Sequence, residues 1–263
     1  MSKPLIPICL IIFLLSACAP LHEASLPPVQ PGSLWTDFVK SSEYTAQTRS
    51  FRIKTSINYS GPERQDRLLA DIWGDNNYPI RMNLKAGMGQ VFSMWREDSR
   101  IWEAYYPSED TVYIHKSGHA GAEAIGFPTP FNLLETSRLL TGQYTFIVPE
   151  KYAHCERQDE KIKFFFSQKA KVKSITLDKH GHPVQLTGKE WKARLSDFNS
   201  EKGNARRIDL EIKNNQKAVI RIKEIEFRQK TWEAKRLQLK LPPETERLQV
   251  ISARKETVSS PRD

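Results

Sequence analysis

The chain has 263 residues, of which 39% are apolar and 27% charged, and a formal net charge of +9. That balance excludes collagen-like, low-complexity and wholly disordered proteins and supplies the core of one large domain or two small ones. The positive charge points to anionic surfaces, such as phospholipid head groups or lipopolysaccharide phosphates, or to nucleic acid.

The chain opens on a leader. Lys3 precedes an apolar run from Leu5 to Leu15, and Ser16-Ala17-Cys18 places small residues where a signal peptidase cuts. The run falls short of the roughly 20 residues that span a bilayer, and His22 and Glu23 follow it closely. Residues 1–17 are therefore expected to be removed, and 18–32, with Pro20, Pro27, Pro28 and Pro31, to form an extended tether. Leu15-Ser16-Ala17-Cys18 resembles the bacterial lipobox. The resemblance implies that Cys18 becomes the N-terminus and carries diacylglycerol on sulfur and an acyl chain on nitrogen, enough chains to hold a membrane durably. Ala19, where aspartate would imply retention at the inner membrane, implies the outer membrane and a domain facing the periplasm. Secretion argues against nucleic acid. Loss of Lys3 from the 40 basic residues leaves 39 against 31 acidic ones, a net +8. Lys161, Lys163, Lys169, Lys171 and Lys173 mostly alternate with apolar positions, the pattern of a solvated sheet face. Cys9 leaves with the leader and Cys18 takes lipid, so Cys155 has no disulfide partner and reads as a small buried strand residue.

The β domain is expected over 33–250. Ser33 is the N-cap expected for a first helix ending before Gln47, with Leu34, Trp35, Phe38 and Val39 at helical spacing. Phe51 to Tyr59 then alternates strictly, and Ser60-Gly61-Pro62 marks a turn. Strands follow at Arg67–Trp73, Ile80–Leu84, Gln90–Trp95, Ile101–Tyr106 and Thr111–His115, separated by turn residues such as Glu97-Asp98-Ser99. Gly118 to Gly126 reads as a small-residue loop. Thr129 as N-cap, Pro130 and Gly142 bound a second helix with Leu133, Leu134, Leu139 and Leu140 on its apolar side. Strands resume at Tyr144–Val148, Lys161–Phe166, Val172–Leu177, Pro183–Thr187, Trp191–Leu195, Arg207–Ile212, Ala218–Arg228 and Arg236–Leu241; residues 251–263 are expected to be a disordered tail. So many strands and so few helices predict a mainly β fold: a strongly curved antiparallel sheet, an open half-barrel, with two or three helices packed in its mouth.

Several strands are apolar in both phases, as in Val91-Phe92, Met94-Trp95, Ile101-Trp102 and Phe164-Phe165-Phe166. Either the second phase packs under the helices, or the concave face lines an apolar cavity. The lining would be Trp73, Trp95, Trp102, Leu133, Leu134, Phe164 and Phe166, with the glycine-bounded loop and the leucine-rich helix as a lid.

The ordered succession of lipobox, tether and helix, then Phe51-Arg-Ile-Lys-Thr-Ser-Ile, Asp71-Ile-Trp-Gly-Asp, Ala86-Gly-Met-Gly-Gln and the helix Phe131 to Gly142, resembles the LolB family and, more broadly, the LolA/LolB fold. Gly188-Lys-Glu-Trp191 to Leu195, Ala205 to Ile212 and Val219 to Ile225 close the likeness. The resemblance implies a non-catalytic, cofactor-free module that accepts lipoprotein cargo from a periplasmic carrier, holds acyl chains in its cavity and inserts them at the outer membrane. A monomer is expected. Met88, between two glycines, is the candidate for the membrane-contact loop that the resemblance implies. The chain beyond Ile225 has no counterpart in it.

Enzyme signatures are lacking: no Gly-x-Ser-x-Gly elbow, Walker loop or His-Glu-x-x-His helix occurs. His115 and His119 fall in the glycine-bounded loop, and His180-Gly-His182-Pro183 reads as a hairpin turn, so no metal site is expected. The alternative to acyl transfer is a periplasmic scaffold that uses the same fold to bind a protein partner, its core filled by its own side chains.

Overall fold

The computed structural model describes residues 30–45, 49–62, 65–87, 89–127, 129–199 and 203–251. Cys18, Met88, residues 18–29 of the expected tether and 252–263 of the expected tail lie outside them, whereas Pro31 and Gly32, expected in the tether, open the first helix in place of Ser33 as its cap. Helix α1 (Pro31–Thr45) leads into a meander of β1 (Ser50–Ser60), β2 (Gln65–Asp75), β3 (Ile80–Lys85), β4 (Val91–Glu97), β5 (Trp102–Tyr106) and β6 (Thr111–His115). Helices α2 (Gly118–Ala124) and α3 (Leu133–Thr141) follow, with a 3-10 turn at Tyr144–Phe146. A second meander then runs through β7 (His154–Gln158), β8 (Lys161–Phe165), β9 (Ser174–Leu177), β10 (Pro183–Thr187), β11 (Trp191–Phe198), β12 (Ala205–Ile212) and β13 (Gln216–Arg228). A 3-10 turn at Ala234–Arg236 precedes β14 (Glu246–Gln249).

All fourteen strands belong to one sheet, in the order β14-β6-β5-β4-β3-β2-β1-β13-β12-β11-β10-β9-β8-β7. The long β1–β13 pairing joins the two meanders, with a register shift between Lys54 and Thr55. The terminal strands β14 and β7 do not pair, so the sheet stays open, and the three helices cover its concave face. Register assigns that face. Ile53, Ile72, Met82, Trp95 and Ala104 stand side by side across β1 to β5, each at most 6% exposed. On the other arm Phe164, Ile175, Leu186 and Ala193 form the matching row, all fully buried.

Several expectations are corrected. Gly118–Ala124 is a helix, not a loop: the Ser117 hydroxyl accepts the Ala120 N–H, and the alanines favour the helical turn. Helix α3 starts at Leu133 rather than Pro130, because Asn132 and Glu135 form a reciprocal capping box; Thr129 instead accepts the N–H of Phe131. Gly142 ends it as expected, at φ +84°. Tyr144–Val148 is a helical turn, buried at Tyr144 and Val148 and closed by Val148 N–H on the Tyr144 carbonyl. Residues 236–241 form no strand; the strand in that region is β14, which runs parallel to β6 and breaks the otherwise antiparallel pattern. Cys155 does lie in a strand, β7, but is half-buried rather than buried.

Candidate functional site: an apolar cavity beneath α2 and α3

Two apolar zones share the concave face. Under α1, Trp35 meets Phe38, Phe164 and Phe166 at ring-centroid distances of 5.2, 5.0 and 5.9 Å, and Tyr152 closes onto Trp35 and Phe164. Their own side chains fill that zone.

Under α2 and α3 a cavity of about 120 Å³ remains. Its floor is Ile57, Leu68, Met82, Leu84, Trp95 and Trp102, with Leu210 and Ile220 from the second meander. Its roof is Ala122 of α2, Leu133 of α3, and Phe127 and Phe131 between the helices. Trp95 and Trp102 meet edge to face at 5.0 Å, and Phe127 meets Trp95 edge to face at 5.4 Å. Phe131 packs on Trp191 at 4.9 Å. Trp95 Nε1 donates to Ser93 Oγ, whereas Trp102 Nε1 has no acceptor among the described residues although Trp102 is 1% exposed.

The glycines of α2 serve close approach. A Cβ on Gly121 would stand 2.4 Å from Trp102 Cε3, and one on Gly118 would stand 2.4 Å from Glu97 Oε2. This seats α2 directly on the floor. Other ties on the roof are superficial: Lys213 bridges Glu123 of α2 at 3.2 Å, and Lys171 bridges Glu135 of α3, with the lysines about half exposed. Exposed pairs of this kind contribute about 0–1 kcal/mol each.

One tie is buried. Glu97, two residues beyond Trp95 on β4 and so on the same face, accepts the Leu133 N–H at 2.7 Å, anchoring the start of α3. Tyr78 donates its hydroxyl to Glu97 at 3.3 Å and accepts from Asn132 Nδ2 at 3.2 Å. Burial pushes the Glu97 carboxyl up to about 7, outweighing the two hydrogen bonds that favour the anion.

Of the residues singled out in the sequence, Trp95, Trp102 and Leu133 stand in the lining of this cavity. Leu134 is buried but faces away from the lining, Phe164 and Phe166 belong to the filled zone under α1, and Trp73 lies on the convex face. The parity of β2 explains the last: Leu68, Ala70 and Ile72 point inward, so Trp73 points out. Phe127, Phe131 and Glu97 were missed. The first two are outside regular elements, and Glu97 reads in sequence as a turn residue. His119 Nδ1 approaches the Thr129 carbonyl and His182 stacks on Phe198, so the two histidine pairs are engaged locally.

No protein-family model matches the chain, and no curated protein is significantly similar to it in sequence. Solved structures share its fold. A LolA superfamily protein from Nitrosomonas europaea aligns with a TM-score of 0.52 and 11% identity over 76% of this chain and 97% of that one. A DUF1329 family protein from Desulfovibrio piger aligns with a TM-score of 0.52 and 9% identity over 80% and 100%. With its open sheet, helix-covered concave face and near-complete coverage of that LolA superfamily structure, this chain has the LolA/LolB-like fold.

Proposed function

We propose that this protein is a lipoprotein of the outer membrane, anchored through Cys18 and facing the periplasm, that binds acyl chains beneath α2 and α3 and helps transfer or insert lipids or lipoproteins, without catalysis. The carrying observation is the apolar cavity between the tryptophan floor and a roof whose surface ties are weak. At about 120 Å³ it is of the size that admits a benzene-sized guest. A long acyl chain therefore requires displacement of the roof. Burial at about 25 cal/mol per Å² of apolar surface favours the chain, and reseating α2 on Trp102 opposes it, which suits reversible transfer.

Ala218 lines the cavity at its half-buried rim, so Ala218→Trp puts an indole into the cavity with limited strain. Wild-type protein lacking residues 1–18 is expected to bind a fluorescent long-chain fatty acid saturably, and Ala218→Trp to weaken this by about tenfold or more, roughly 1.4 kcal/mol. The filled zone under α1 favours the scaffold reading, which takes over if no acyl probe binds saturably. The anchor is tested separately. Cys18→Ser is expected to abolish palmitate incorporation and detergent partitioning; unchanged partitioning with no palmitate in the wild type would refute it.

A further inference from the structure

The convex face carries a cationic cleft independent of the acyl cavity. Register places Arg52, Trp73, Arg81, Arg96 and Glu103 side by side across β1 to β5. Arg81 and Arg96 are direct cross-strand neighbours, an arrangement that costs stability unless the charges are answered. Arg96 is answered, by Asp98 at 2.8 Å and Glu103 at 3.1 Å. Arg81 forms no ion pair among the described residues, although it is only 5% exposed. Its Nε donates to the Trp95 carbonyl at 3.1 Å, its Nη1 donates to the Gln238 carbonyl, and its guanidinium lies 5.2 Å over the Trp73 ring. Burial, aided by Arg96, lowers its pKa to about 10.

The segment 229–241 crosses this face as a strap. The carbonyls of Arg236, Leu237 and Gln238 accept from Trp73 Nε1, Arg96 Nε and Arg81 Nη1, and Trp232 donates from its backbone to Asp75 and from its indole to the Phe51 carbonyl. Beside the strap a cleft of about 610 Å³ stays open. Six cationic side chains line it: Arg52, Arg81, Lys85, Lys235, Arg236 and Lys240. Asp71 is the single carboxylate in the lining, and Arg52 holds it at 2.6 Å. Glu233 bridges Lys235, while Lys85, Arg236 and Lys240 form no ion pair among the described residues.

We propose that this cleft binds a phosphate-bearing anion, the phosphate answering Arg81 and the rim lysines, with the rest of the cleft taking the group attached to it. A buried guanidinium without a carboxylate is costly, and an anion seated beside it recovers that cost. Arginine's planar fork suits phosphate oxygens, and lysines add point charges around them. The phosphate can belong to a membrane lipid head group or to a soluble phosphomonoester.

The test is calorimetric titration of the full-length protein in neutral detergent micelles. One arm uses sn-glycerol 1-phosphate; the other uses micelles doped with phosphatidylglycerol, with phosphatidylcholine as reference. One-to-one saturable binding that weakens as salt rises is expected in at least one arm. Binding of glycerol phosphate supports the site for soluble phosphoesters, and binding confined to phosphatidylglycerol supports it for lipid head groups. Lys85→Gln with Lys240→Gln removes two rim charges without touching the core and is expected to lower affinity about tenfold. Arg81→Gln is expected to lower it further, and Ala218→Trp to leave it unchanged, separating this site from the acyl cavity. Absence of saturable binding in both arms, or wild-type affinity in the double lysine variant, overturns the proposal.

Discussion

Glutamine at position 97 is expected to stabilise the protein above pH 7 and to leave it nearly unchanged near pH 4.5. The Glu97 carboxyl ionises at its ordinary value of 4.5 when unfolded but near 7 in the fold, so between these values the folded state holds the extra proton. Stability therefore falls as pH rises through that window and levels off above it. The shift corresponds to about 3 kcal/mol at full ionisation, an order of magnitude set by burial in the concave face. Glutamine removes the charge, while its amide oxygen still accepts the Leu133 N–H that anchors α3. We expect Glu97→Gln to add about 1–3 kcal/mol at pH 8, at roughly 2–4 °C in Tm per kcal/mol. Thermal unfolding at pH 5 and pH 8 checks this. A variant less stable than wild type at both values would mean that the ionised carboxylate is needed at the start of α3.

The strands were legible wherever one face is buried and the other wet. Phe51, Ile53 and Thr55 are buried while Arg52 and Lys54 alternate with them, and the register of β1 follows from that pattern. Legibility failed where tertiary contacts replace the pattern. Leu237-Gln-Leu239-Lys-Leu241 alternates like a strand, yet the carbonyls of the strap are taken by Arg81 and Arg96 side chains, so no neighbouring strand pairs there. Glu246–Gln249 has a single apolar residue, Leu248, and no buried face; it is a strand because β6 would otherwise be an unpaired edge. Half of the cavity was readable for the same reason. Trp95 and Trp102 share a face through Glu97, which pairs with Trp102, but sequence shows neither which aromatic phase is covered nor by which helix. The convex ladder was missed because its members lie on five strands, and only register unites them.

Alanine at Gly121 is expected to destabilise the protein by about 1–3 kcal/mol, as overpacking of a fixed core does, although glycine-to-alanine changes in an exposed helix gain about 1 kcal/mol. The sign is decided by Trp102. The new Cβ would stand 2.4 and 2.7 Å from two carbons of its indole and 2.9 Å from His115 Cβ. The indole cannot yield, being 1% exposed and held edge to face by Trp95. Helix α2 must then lift, losing the burial of Ala122 over the cavity. The two closest approaches are to the indole, so Gly121→Ala introduced into a Trp102→Leu background is expected to cost much less than in the otherwise unchanged protein, only the 2.9 Å approach to His115 Cβ remaining. That corresponds to a coupling of about 1–3 kcal/mol in a double-mutant cycle. Denaturant unfolding of the wild type, both single variants and the pair measures it. If Gly121→Ala stabilises the otherwise unchanged protein, α2 is not seated on Trp102, and the closed roof that makes acyl entry require displacement does not exist in solution.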